Sequence, residues 1–231
     1  MPQTMEPAKS ANIGLPPGLA WGRLFSLWPY KIGGATVGFT LFFAVYFHVL
    51  RNPVFAVTVM PLTPIDHWIV FNPWWMLPYI SLWVYVTLPP FLLIKGRELV
   101  LYGAGAAALS AVGLTVFFFR PTIVPAMDLG SGWSGPMRIL KTVDASGNAC
   151  PSLHVAFACF TAYWLDVMMR RATASYAMRG LNIIWAFSIV VSTIGTKQHV
   201  VWDAVGGIVL GLTAAVMHRA AWRRIESSGP S

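Results

Sequence analysis

Residues 204–217 carry only apolar or small uncharged side chains, and five other stretches of this chain are nearly as free of charge. A helix needs about 20 apolar residues to cross the hydrocarbon of a bilayer. In that medium every backbone N–H and C=O must be satisfied within the protein, which helices do segment by segment. Reading the runs between charges and prolines gives helices at 32–50, 74–94, 99–119, 152–169, 181–194 and 200–221. The fifth is short and extends back toward Tyr176. The expected fold is all-α, a polytopic six-helix membrane bundle over 31–222, with a disordered or interfacial N-terminal tail at 1–30 and a cytoplasmic tail at 223–231. Residues 53–73, with Pro53, Pro61, Pro64 and Pro73, read as an outer loop or half-inserted segment.

Composition agrees. Hydrophobic residues make up 56% of the 231 residues and charged ones 10%, against about 25% charged in a soluble domain. The proline-containing start does not read as a signal peptide. Cytoplasmic loops of membrane proteins are enriched in Lys and Arg. With the N-terminus inside, eleven Lys and Arg fall on the inner side and five outside, accounting for all 16. Both termini are therefore expected to be cytoplasmic, and the net charge of +8 largely reflects this bias. No soluble basic surface for nucleic acid is evident. Cys150 and Cys159 are nine residues apart, about 13 Å along a helix, too far for a disulfide.

The outer cations are Arg51, Arg120, Arg138, Lys141 and Lys197. On the same side the fourth span opens on Pro151-Ser152-Leu153-His154, and the sixth opens on His199, with Asp203 one turn later. Residues four apart share a helix face, and ionisable groups at the mouth of an apolar helix are costly unless they have a role. Topology alone thus brings two histidines, one carboxylate and several cations to one membrane face.

That set suits a phosphate ester. Lys and Arg neutralise non-bridging oxygens and stabilise transition-state charge. A neutral imidazole can attack phosphorus to give a phosphohistidine, while a protonated one donates to the leaving oxygen. Asp203 would hold the ring of His199 in the attacking tautomer. The competing chemistry is a metal site, since two histidines and an aspartate could bind zinc or iron. The neighbouring cations oppose a dication. The bland alternative is that both histidines only hydrogen-bond within the bundle.

These motifs resemble the type-2 phosphatidic acid phosphatase superfamily, and more narrowly its inositol phosphorylceramide synthase-like branch. Pro151-Ser152-Leu153-His154 is similar to the second superfamily motif, Pro-Ser-Gly-His, with Leu153 for glycine. Ser192, His199 and Asp203 keep the spacing of the third, with Thr193 where the superfamily has arginine. Arg120-Pro121 resembles the end of the first, but seven residues earlier stands Gly113 instead of lysine. The stretch with Asp66, Pro73-Trp74-Trp75 and Tyr79 also looks like the branch, so the resemblance covers about 61–211.

The resemblance implies a metal-independent enzyme without a cofactor. His199 would be the nucleophile, Asp203 its orienting partner and His154 the acid on the leaving group. Ser152, Arg120 and Lys197 would cradle the phosphate, with Lys141 or Arg138 replacing the lost first-motif cation. Soluble vanadium haloperoxidases share the superfamily, but the membrane character here argues against that chemistry. The expected activity is cleavage of a membrane lipid phosphate at the periplasmic or lumenal face. The alternative is transfer of a phospho-head group to an alcohol such as inositol or a lipid hydroxyl. A third reading, a transporter or scaffold, is opposed by the lack of paired halves with broken helices. Gly207 and Gly211 read as a close helix contact and Trp74–Trp75 as an interfacial belt. His48 and His218 read as non-catalytic, and His67 as a residue of the outer loop.

Overall fold

The structure is a computed structural model that describes residues 26–126 and 147–227. Helix α1 (Trp28–Arg51) is followed by strand β1 (Thr58–Val59), the short helix α2 (Pro64–Trp68), a 3-10 turn (Pro73–Trp75), α3 (Met76–Tyr85) and α4 (Leu88–Leu92). Then come α5 (Gly96–Phe119), β2 (Thr122–Ile123), α6 (Leu153–Arg171), α7 (Tyr176–Gly195) and α8 (Val201–Ser227). The all-helical expectation holds, and α7 does begin at Tyr176. Among the described residues four helices, α1, α5, α7 and α8, are long and apolar enough to cross a membrane.

The other two expected crossings differ from the simple reading. Residues 74–94 form a 3-10 turn and two helices, α3 and α4, instead of one rod. Pro89 and Pro90 lack the N–H donors that would bond the carbonyls of Tyr85 and Val86 four residues earlier. The helical ladder therefore lapses at Val86–Thr87, although both residues keep near-helical backbone. Helix α6 is complete, but it carries Asp166, Arg170 and Arg171. It lies at the centre of the bundle, with Val155, Ala156, Ala158, Phe160 and Trp164 all at most 1% exposed. A helix shielded from lipid by its neighbours has no need of an apolar surface all round. Its last turns use their charges internally: Asp166 accepts from Arg170 Nε and from Arg179 Nε of α7, both at 2.7 Å. The last helix also continues to Ser227, past the end read at 221.

Small residues fix the closest contact, between α6 and α8. A Cβ at Gly207 would lie 2.5 Å from the Ser152 carbonyl oxygen and 2.8 Å from the Val155 Cβ, and one at Gly211 would meet the Ala156 backbone. The Gly-x-x-x-Gly spacing is therefore a packing device. At the same end of the bundle, β1 and β2 pair in parallel, Thr58 with Thr122 and Val59 with Ile123. Thr122 then holds the segment leading into α6, its carbonyl accepting from Ala149 N at 3.2 Å and its Oγ1 from Cys150 N at 2.8 Å. Val124, Ala149 and Val200 form a small apolar cluster beneath, with Met60 against it. The ends of α1, α5, α6, α7 and α8 are thus stitched together where the sequence places the outer face. Both cysteines are free.

Overpacking a tight interface costs about 1–3 kcal/mol, occasionally more. Gly211→Leu should lower the melting temperature of detergent-solubilised protein by several degrees, because the clash falls on backbone that cannot rotate away. An unchanged melting temperature would contradict this packing.

Candidate active site

His199 lies in the turn between α7 and α8, just ahead of the last helix. Thr193, one turn back on α7, shapes that turn: its carbonyl accepts from Gln198 N and His199 N, both at 3.1 Å. Lys197 reverses the chain in the left-handed region at φ 57°. Asp203, in the first turn of α8, has no exposed surface. Its Oδ2 accepts from Val200 N at 3.0 Å and faces His199 Nδ1 at 3.4 Å. A donor on Nδ1 leaves Nε2 as the lone-pair nitrogen. The 3.4 Å separation is longer than a strong charge-assisted bond, and catalytic hydrogen bonds commonly tighten when substrate binds.

His154 enters from α6. Ser152 caps that helix, its Oγ accepting from Val155 N at 3.3 Å. Its own N–H donates to the Asp203 carbonyl at 3.0 Å. The N-terminus of α6 is therefore bonded to the first turn of α8. The His154 ring stacks on Tyr79 at 4.1 Å between centroids with 12° between planes, and meets Trp83 edge-on at 6.3 Å. It also hydrogen-bonds the Tyr79 backbone. The Ser152–Asp203 bond brings the start of the helix that carries His154 to the same end of the bundle as the turn that carries His199.

Buried polar atoms without partners are rare in folded proteins and call for an explanation. His154 Nε2, Asp203 Oδ1 and both amide atoms of Gln198 are buried and have no hydrogen-bond partner, and all belong to this end of the bundle. Gln198 was not singled out from sequence. Between Lys197 and His199 an uncharged amide gives no signal of its own until its burial is known. Among the described residues no three His, Cys, Asp or Glu side chains gather around a point where one ion could bind.

The expected cations are placed unequally. Arg120 caps the C-terminus of α5 and is exposed, two residues before the Thr122 that holds Cys150. Lys197 is half-buried and donates from Nζ to the carbonyls of Asp66 at 2.6 Å and Ile69 at 2.5 Å. One N–H of its ammonium remains for another partner. Burial pulls its pKa below the ordinary lysine range, and the Asp66 carboxylate pushes it back up. Arg138 and Lys141 lie outside the described residues. Trp75, read as part of an interfacial belt, packs against the α7 C-terminus, where a Cβ at Gly195 would collide with its ring. Trp74 is 75% exposed and fits the belt.

The two departures from the motif pattern on α5 and α6 have one cause. A Cβ at Gly113 would run into the Leu153 side chain, with Leu153 Cγ at 2.9 Å. Leu153 fills the space that a longer side chain at 113 would need, so glycine at 113 and leucine at 153 are one paired arrangement. Thr193 is likewise fully buried, with its Oγ1 donating to the Val190 carbonyl at 2.8 Å.

Residues 67–217 match the family model described as the PAP2 superfamily. No curated protein and no solved structure matches the chain.

The Gly113–Leu153 pairing predicts non-additivity of the kind seen between residues in contact. Gly113→Lys alone should destabilise the protein by about 1–3 kcal/mol. The Gly113→Lys/Leu153→Gly double variant should recover more than half of that loss in a thermal melt. Simple addition of the two single effects would contradict the pairing.

Proposed function

The chain belongs to the PAP2 superfamily, and on that footing we propose that it is an integral-membrane phosphatase that cleaves a lipid phosphate monoester or diphosphate through a phosphohistidine on His199. The observation that supports this reading is the meeting of the His199–Asp203 pair with His154 at one end of the bundle, with His154 Nε2 and Asp203 Oδ1 both buried and unpartnered. A nucleophile with an orienting carboxylate and an opposed acid is the minimum that two-step phosphoryl transfer needs.

In the first step His199 Nε2 attacks phosphorus. An N–P bond forms, the bond from phosphorus to the lipid oxygen breaks, and His154 Nε2 gives the leaving oxygen its proton. Asp203 stabilises the charge that develops on the imidazole, as an aspartate does behind an acyl-transfer histidine. In the second step water, deprotonated by His154, attacks phosphorus and releases phosphate with neutral His199. Ser152, Arg120 and the remaining N–H of Lys197 are the proposed phosphate contacts, with Arg138 and Lys141 completing the cation set. The apolar surface of the bundle keeps the lipid chains in the bilayer while the phosphate sits at the outer, periplasmic or lumenal, face. Transfer to an alcohol shares the first step and differs only in the second nucleophile.

The test is purified protein against phosphatidate, prenyl diphosphate, lysolipid phosphate and phosphoinositide, scoring free phosphate and transferred head group together. Free phosphate as the main product supports hydrolysis, whereas head group on an added alcohol moves the assignment to transfer. His199→Ala should abolish turnover. General acid catalysis contributes about 10²–10⁴-fold, so in pre-steady-state runs His154→Ala should slow the first-step release of the leaving group from lipid phosphates by that order. Release from p-nitrophenyl phosphate should slow far less, because that leaving group needs no proton, while the later attack of water is common to both. Equal losses on both substrates would remove His154 from the acid role.

A further inference from the structure

The segment between α1 and α3, an outer loop or half-inserted segment by sequence, meets the turn that carries His199 and its surroundings at four successive points. Met60 packs on the cluster containing Val200. Asp66 Oδ1 accepts from Val201 N at 2.9 Å. Lys197 Nζ donates to the carbonyls of Asp66 and Ile69. Trp75 closes on Gly195. These contacts bridge up to 135 positions of sequence, so none arises from chain proximity.

We propose that Asp66 is a positioning residue for the reaction, gripping the catalytic turn on both sides of His199. Its carboxylate holds Val201 and its main-chain carbonyl holds Lys197, two residues after and two residues before the histidine. The other carboxylate oxygen, Oδ2, accepts from Thr63 N at 2.7 Å and Thr63 Oγ1 at 2.8 Å, which fixes the carboxylate in α2. The side chain is 2% exposed. A buried carboxylate is costly unless its oxygens are hydrogen-bonded, and here both are.

The grip also divides labour at the start of α8. The first N–H groups of a helix have no partner within it. Asp203 Oδ2 serves Val200 N–H and Asp66 Oδ1 serves Val201 N–H. With Asp66 gone, Val201 N–H loses its acceptor beside an Asp203 Oδ2 that already serves Val200 N–H, and any turn of that carboxylate toward Val201 draws Oδ2 away from His199 Nδ1. The inference rests on His199 being the nucleophile, but the grip itself is measurable without activity.

The experiment compares Asp66→Ala, Asp66→Asn and Asn182→Ala with wild type and His199→Ala. Asn182 bonds Tyr85 and the Ala162 carbonyl at the far half of the bundle, so its loss reports stability alone. A displacement of about 1 Å at a reacting group can cost about 100-fold. Asp66→Ala should therefore lower kcat at least about tenfold while KM changes by less than about threefold. Asp66→Asn, which keeps an acceptor for Val201 N–H, should recover part of that loss. Asn182→Ala should lower the melting temperature and leave kcat unchanged. Amide hydrogen exchange over 196–201 should rise in Asp66→Ala and not in Asn182→Ala, whatever the activity proves to be. Unchanged exchange there overturns the grip. Wild-type kcat in both Asp66 variants, or a kcat loss no larger than the loss of folded protein, overturns the positioning role. Inactive wild type, or an active His199→Ala, would instead reject the underlying functional reading.

Discussion

The N-terminus of α6 rests directly on the first turn of α8, backbone to backbone. Ser152 N–H donates to the carbonyl of Asp203 at 3.0 Å, and Gly207 and Gly211 leave no side chain in the way. Small residues let helices approach this closely inside a membrane, where burial against lipid gives little drive for association. The approach brings the helix carrying His154 against the helix that His199 precedes. It also makes the main chain of Asp203 a structural anchor while its side chain faces the histidine. Any side chain at 207 or 211 would spread the two helices and both histidines with them.

Around that contact the bundle separates two kinds of environment. Helix α6 is ringed by α3, α4, α5, α7 and α8, which lets it carry Thr161 and Asp166 without facing lipid. Its C-terminal end is tied to α7 through Asp166 and two arginines. Its N-terminal end lies against the turn 195–200, where several of the buried polar groups among the described residues gather: Thr193, Thr196, Gln198, His199 and Asp203. Polar groups in a low-dielectric surrounding interact strongly and tolerate few alternative arrangements. That favours a turn braced from several sides, by Thr193 from behind and by the segment 60–75 across its face.

Much of this was legible before any coordinates. Charge-free runs located the long helices because a bilayer admits little else, and the Lys and Arg count placed His154 and His199 together because helices alternate in direction. The four-residue spacing from His199 to Asp203 suggested a shared helix face; His199 instead lies in the turn before α8, and the pair meets because Asp203 Oδ2 reaches back to that turn through Val200 N–H. Pro89 and Pro90 were visible, but the apolar run reads through them as one rod, and their missing donors split it into α3 and α4. The rest of what escaped was tertiary. Leu153 and Gly113 each looked like an isolated departure, and only their contact shows them to be one. Asp66 lay in a stretch legible only as an outer loop or half-inserted segment and by its resemblance, since a hydrogen bond to Val201, 135 residues away, leaves no mark in a single sequence.

The central claim is that phosphorus passes through the ring of His199. The most direct measurement is to mix purified protein with a lipid carrying labelled phosphate, quench within milliseconds at alkaline pH to spare a phosphoramidate, and map the label by peptide mass spectrometry. The account predicts label on His199, chased away by water or alcohol, and absent when His199 is replaced by alanine. Turnover of the same lipid with no protein-bound label, or with label on another residue, would contradict it.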